Sequence, residues 1–117
     1  MRTPKRGDIW IVNLDPAIGS EIKKTRPSVI ISNDVNNEHA NTVTVIPVTS
    51  VTEKIYPFEI RIPAGESGLK QDSKAKANQI RTIDKQRLIR SIGFLSPQSI
   101  SKLEKAIAVH LDMPVEG

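Results

Sequence analysis

Branched apolar residues recur in short runs along this chain, and each run closes on a turn-forming residue after roughly four to nine positions. Asp8-Ile9-Trp10-Ile11-Val12-Asn13-Leu14 is apolar on both faces at its start and ends at Asp15-Pro16, which predicts a first strand. Pro27 to Asn33, built on Val29-Ile30-Ile31, predicts a second. Thr42 to Ser50 alternates hydroxyl and branched apolar side chains in its first half, as a half-buried third strand should. Pro47 removes a ladder donor there, so an edge position or a bulge is expected. Tyr56 to Ile62 sets Phe58, Ile60 and Ile62 on one face. Asp72 to Asp84 has helix-compatible residues at Ser73 to Gln79, but Ile80-Arg81-Thr82-Ile83 continues with β character and the whole is read as strand. One short turn is expected at Asp84 to Ile89, behind an N-cap aspartate, and a last short strand or turn at Ser91 to Leu95.

Only the C-terminal segment changes period. Ser96 can cap a helix with Pro97 at its first position. Ile100, Leu103, Ile107 and His110 with Leu111 fall on one face, His110 as a partly buried flank, and Pro114 is the expected stop. Between these elements, Ala17 to Thr25 is longer than a hairpin needs and its glycine, serine and alternating charge predict a flexible flap. Asn33 to Asn41 is a loop by composition, and Pro63 to Gly68 a turn. Short strands at such intervals point to an all-β barrel with a C-terminal helix and away from a parallel α/β sheet.

At 117 residues the chain has the length of one domain, 1–117, with one core. Aromatic residues are few, so that core must be mainly Ile, Val and Leu. The absence of cysteine excludes a disulfide framework, a thiol nucleophile and a cysteine metal site. His39 and His110 lack zinc-motif spacing. No apolar run approaches the roughly 18 residues of a membrane span, no signal-peptide core follows the N-terminus, and no Walker or dinucleotide glycine pattern occurs. A cytoplasmic protein is expected.

The formal charge of +4 is unevenly spread. Arg2, Lys5, Arg6, Lys23, Lys24 and Arg26 face only Asp8, Asp15 and Glu21 in the first 26 residues, and Lys70, Lys74, Lys76, Arg81, Lys85, Arg87 and Arg90 face only Asp72 and Asp84 between 70 and 90. Brought together by folding, these two regions would make the footprint expected for a polyanion. The first of them ends at Thr25-Arg26-Pro27. Pro27 biases Arg26 toward extended backbone just ahead of an apolar strand, which would hold a guanidinium on rigid backbone facing solvent. The alternative for Arg26 is a surface ion pair with Glu21.

Taken in order, Arg6-Gly7-Asp8-Ile9-Trp10, Asp15-Pro16 with Gly19-Ser20-Glu21, Arg26-Pro27, Val48-Thr49-Ser50, Tyr56-Pro57-Phe58-Glu59 and Asn78-Gln79-Ile80-Arg81-Thr82-Ile83-Asp84-Lys85-Gln86-Arg87-Leu88 resemble the MazF/PemK toxins, ribonucleases of bacterial type II toxin-antitoxin pairs. The resemblance implies a mainly β chain with a C-terminal helix, an SH3-like β-barrel, acting as a homodimer that cuts single-stranded RNA, commonly mRNA, at short sequences without a metal or other cofactor. It implies Arg26 and Thr49 as catalytic residues. It also implies an RNA-contacting surface on the loop bearing Ser20, Glu21 and Lys24, at Ser50, and on the strand bearing Ser73, Lys74, Lys76, Asn78, Gln79 and Arg81. Ser20, Glu21, Ser73, Asn78 and Gln79 suit base edges, and Lys74, Lys76 and Arg81 suit phosphates. A cognate antitoxin with an acidic disordered tail is the implied partner. Two rivals stand beside this: a non-catalytic SH3-like module holding RNA or an acidic peptide, and the sister gyrase-poisoning toxins, which use a C-terminal aromatic residue that Met113-Pro114-Val115-Glu116-Gly117 lacks.

Overall fold

The computed structural model describes residues 2–65 and 67–114. Seven strands are present: β1 Asp8–Asn13, β2 Thr25–Ile30, β3 Thr42–Thr49, β4 Glu59–Ile62, β5 Ser73–Lys76, β6 Arg81–Asp84 and β7 Leu88–Phe94. Two helices accompany them, α1 Asp34–His39 and α2 Pro97–His110. All strand pairings are antiparallel and follow the path β4-β5-β3-β2-β1-β7, with β6 beside β3. Mainly β structure with a C-terminal helix is what the periodicity predicted.

Strand β3 organises the sheet by changing neighbours along its length. Thr42 to Val45 pair with β6, while Val48 and Thr49 pair with β5. Pro47 falls in the changeover, after Val45↔Arg81 and before Val48↔Ala75. The expected edge position is therefore corrected: β3 is central, and the proline's missing donor sits where the strand has no neighbour to bond on that side. The 3₁₀ turn Ala77–Gln79 breaks the long strand expected over Asp72 to Asp84 into β5 and β6 at the same place.

Side-chain alternation sends the apolar residues to two clusters, one on each face of the sheet, which corrects the single core expected from length. Ile9, Val29, Ile46 and Val48 join Ile60, Ile62 and Leu69 in one, covered by Leu103 and Ala106 of α2. Trp10, Val12, Ile30, Val43 and Val45 form the other with Leu14, Ile83 and Leu88. This is why the β1 stretch is apolar on both faces: it is buried on both. Trp10 is a core residue, 1% exposed.

At the ends of the path, the β4–β5 connection meets β7. A Cβ on Gly68 would lie 2.0 Å from the Ile92 carbonyl oxygen, and one on Gly93 2.3 Å from that of Ser67. The two backbones touch, and the sheet closes into a barrel at this seam. Gly68 also has φ +79°, a region that disfavours side chains. Gly68→Ala is expected to lower stability by about 3 kcal/mol, read from the urea midpoint; a shift under a few tenths would show the seam to be slack.

Three other expectations change. Asn33 to Asn41 contains α1, capped by Asn33, whose side chain accepts from the Asn36 N–H at 2.8 Å, and pinned by buried Asn37, whose amide donates to the Ser32 carbonyl at 2.9 Å. Helix α2 starts as expected, with Ser96 accepting from the Ser99 N–H at 3.1 Å, but ends at His110, ahead of Pro114, and His110 is exposed rather than a buried flank. Its packed face is Leu103 and Ala106, with Ile100 and Ile107 partly buried. The stretch Val115 to Gly117, on which the gyrase comparison rested in part, lies outside the described residues, as does Glu66 of the Pro63 to Gly68 turn.

Two exposed carboxylates have pKa values below the ordinary 3.8. The backbone N–H of Ala64 and then the Arg61 guanidinium hold Asp72 down. For Asp34 the backbone N–H of Arg6 comes first, opposed by some desolvation and helped by Asn37. A carboxylate depressed by folding contributes stability that is full above its unfolded pKa and is lost as pH falls through the folded value. Their contribution should stay constant from about pH 7 to about pH 5 and decline below about pH 4. Asp72→Asn should reduce the acid-side slope of stability against pH; an identical slope would count against that role.

Candidate active site

A cleft of about 330 Å³ opens at the mouth of the barrel, beside the Gly68 seam. Arg26 and Pro27 of β2 and Val48 and Thr49 of β3 form one side of it, Leu69 and Lys70 of the β4–β5 connection and Arg90 of β7 the other. The β2–β3 register explains why Arg26 and Thr49 meet. Ile30↔Val45, Val29↔Ile46 and Ser28↔Pro47 are paired, and two residues further on the same diagonal reaches Arg26 and Thr49. Twenty-three positions apart in sequence, they stand together because two adjacent antiparallel strands end there.

Arg26 lies inside β2, opposite Val12 of β1, rather than ahead of the strand as expected, since β2 begins at Thr25. Its Nε donates to the Lys23 carbonyl at 3.3 Å, which leaves the terminal nitrogens without a protein partner among the described residues. The Glu21 ion pair does not form: Glu21 instead accepts from the Ile18 N–H at 2.7 Å. The Thr49 hydroxyl oxygen accepts from the Val51 N–H at 3.0 Å, so its own proton remains free to donate. Ser73 is buried and donates to the Gln71 carbonyl at 2.9 Å. Arg26, Thr49, Ser50 and Ser73 thus come together in the cleft.

The other expected contacts lie outside its lining. Ser20, Glu21 and Lys24 are exposed on the β1–β2 loop. Gln79 fastens that loop, accepting from the Ile22 N–H at 3.2 Å and donating to the Ser20 carbonyl at 3.4 Å. Arg81 donates to the Leu14 carbonyl at 3.2 Å, and Arg87 to the carbonyls of Asn13 and Asp15. The loop is thus held at Asn13 to Asp15 and again at Ser20 and Ile22, while Ser20, Glu21 and Asn78 remain exposed. The loop passes the cleft where Lys23 meets Arg26.

Lys74 does not present its charge to a ligand. Its ammonium is buried and donates to Glu59 at 3.1 Å and to the Lys54 carbonyl at 2.9 Å, 6.0 Å from the Tyr56 ring centre. Lys76, half-buried, approaches the same carboxylate at 3.9 Å. The phosphate role expected of Lys74 is corrected on this ground: its charge is buried against a carboxylate. Lys70, Gln71 and Arg90 were missed as cleft residues. The basic run from 70 to 90 was the available signal, but nothing in it separates free cations from paired ones.

The electrostatics of the cleft are one-sided. Arg26, Lys70 and Arg90 line it and, among the described residues, no carboxylate does. Such a lining is complementary to a polyanion.

Residues 5–111 match the family described as the PemK-like, MazF-like toxin of type II toxin-antitoxin systems. An endoribonuclease MazF9 of Mycobacterium tuberculosis is 46% identical over 93% of this chain and 97% of its own length. The endoribonuclease EndoA of Bacillus subtilis is 37% identical over 92% of this chain and 93% of its own. The structure of a mycobacterial endoribonuclease in complex with its cognate antitoxin superposes with a TM-score of 0.80 at 24% identity, over 97% of this chain and 99% of that one, a likeness of fold.

Proposed function

The chain belongs to the PemK-like, MazF-like toxins, and from that membership we propose that it is an endoribonuclease toxin whose barrel-mouth cleft binds single-stranded RNA and cuts it with Arg26 and Thr49. The observation that supports the site assignment is that these two residues line one cleft together with Lys70 and Arg90 and, among the described residues, no carboxylate.

RNA brings its own nucleophile. As the 2′-oxygen attacks, a bond forms to phosphorus and the bond to the 5′-oxygen breaks, leaving a 2′,3′-cyclic phosphate and a 5′-hydroxyl. The protein must align these atoms and stabilise the charge that builds on the phosphorane oxygens. The free terminal nitrogens of Arg26 supply a fork for those oxygens. The Thr49 proton, directed by the bond its oxygen accepts from Val51, donates to another or orients the 2′-oxygen. A guanidinium, with a pKa above about 12, is a poor base. Charge stabilisation and alignment are therefore what Arg26 contributes.

Base recognition falls to the exposed Ser20, Glu21 and Asn78 of the strapped loop and turn, with Ser50 and Ser73 in the cleft, and Lys24 adds charge. Gln79 takes part by holding the loop or by exchanging those bonds for a base. The cation-rich cleft suits an acidic antitoxin tail competing with RNA for the same groove. The whole chain, 1–117, acts as one toxin domain, as a homodimer, in the cytoplasm where mRNA is found. Incubation with a long RNA in excess EDTA, followed by mapping of 5′ ends, should give 5′-hydroxyl ends at one recurring short sequence. Intact RNA would sink this reading in favour of the non-catalytic binding module.

A further inference from the structure

The seven arginines divide into two classes. Arg2 is bound to Asp8 at 3.0 Å, Arg6 to Glu104 at 2.9 Å, Arg61 to Asp72 at 2.7 Å, Arg81 to the Leu14 carbonyl and Arg87 to the carbonyls of Asn13 and Asp15. Only Arg26 and Arg90 leave both terminal nitrogens without a partner among the described residues, and both line the barrel-mouth cleft. The two guanidiniums with both terminal nitrogens uncommitted among the described residues therefore converge on one concavity. Arg26 is accounted for by the scissile phosphate, and Arg90 is not.

The placement of Arg90 limits what it can do. Arg90 pairs with Ile11, and Ile11 pairs with Pro27, so these three form a row across β7, β1 and β2. Two strand spacings, about 10 Å, separate its backbone from that of Pro27, and Arg90 shares the cleft with Arg26, the residue before that proline. Arg90 also borders a second groove, running along β7 past Ser91 to Phe94. It lines both hollows, as does Ile92, and so offers a strand held in the cleft a cation on the way to the second groove. Lys70, exposed and likewise unpaired among the described residues, adds charge to the cleft from the β4–β5 connection.

We propose that Arg90 is a second substrate-binding residue, holding an RNA phosphate that flanks the one to be cut and so leading the strand from the cleft into the groove along β7. This rests on the cleft being the RNA site, and the test separates the two ideas. An RNA carrying the mapped cleavage sequence, with the 2′-hydroxyl at the cut replaced by 2′-O-methyl, is prepared with single methylphosphonate linkages at each position in turn. Its affinity is measured for the full-length wild type, Arg90→Ala and Arg90→Lys, each checked for an unchanged melting profile. One flanking linkage, when made neutral, should weaken the wild type about tenfold and Arg90→Ala hardly at all, with Arg90→Lys between them. Neutralising the scissile linkage should weaken all three alike. The proposal is overturned if every linkage costs wild type and Arg90→Ala equally, or if the masked linkage is the scissile one. Unmodified RNA is digested in parallel: cutting by the wild type without any masked linkage refutes the Arg90 contact alone, whereas no cutting and no binding refutes the RNA site itself and the contact with it.

Discussion

Arg26→Ala is expected to slow single-turnover cleavage of RNA by about two to three powers of ten, the usual loss when one preorganised donor to a developing oxyanion is removed. The fold should be untouched, because the side chain makes one long bond, to the Lys23 carbonyl, and buries no charge. Arg26→Lys should recover only part of the rate, since an ammonium keeps the charge but not the planar fork. The loss should appear mainly in the chemical step, with RNA affinity reduced far less, because the phosphorane carries more charge than the bound phosphodiester. Cleavage by Arg26→Ala at the wild-type rate would remove the basis for assigning the cleft.

Glu59→Ala is the substitution expected to damage stability most. The Glu59 carboxylate is 1% exposed and accepts from Lys74 at 3.1 Å and from the Tyr56 N–H at 3.0 Å, with Lys76 at 3.9 Å. Without it, a buried ammonium is left with the Lys54 carbonyl and the Tyr56 ring, and the Tyr56 N–H loses its acceptor. Breaking such a pair from one side costs about 3 to 5 kcal/mol, a large part of the margin of a domain this size. Replacing both partners together, Glu59→Met with Lys74→Met, should return much of that loss, because no charge then remains buried. A urea midpoint for Glu59→Ala close to that of wild type would show the pair to be incidental. The same geometry predicts that Lys74→Met leaves the salt dependence of RNA binding unchanged, the opposite of what a phosphate-holding lysine would do.

These two residues show how unevenly the site could be read in advance. That Arg26 and Thr49 meet in one cleft was to be expected from the resemblance, and the strands that carry them were legible through their β-branched alternation. Lys74 was misread because a lysine in a basic run looks alike whether it faces solvent or a carboxylate fifteen positions earlier. Helix α1 was missed because its residues are poor helix formers; Asn33 as a cap and Asp34 in the first turn were visible, but the bonds of buried Asn37 to Ser32 and Asp34 hold it.

By itself, the amino-acid order determined the strand-rich class, the start of the C-terminal helix, the exclusion of thiol chemistry and the excess of positive charge, since each of these depends on a residue and its near neighbours. Only the tertiary structure decided which cations are spent and which are free. Lys74, Arg81 and Arg87 meet partners 15 to 74 positions away, and such pairings exist only once the strands have assembled. Assembly leaves Arg26 and Arg90 at one mouth with terminal nitrogens that have no partner among the described residues, because charge is available to a ligand only where folding has supplied no acceptor.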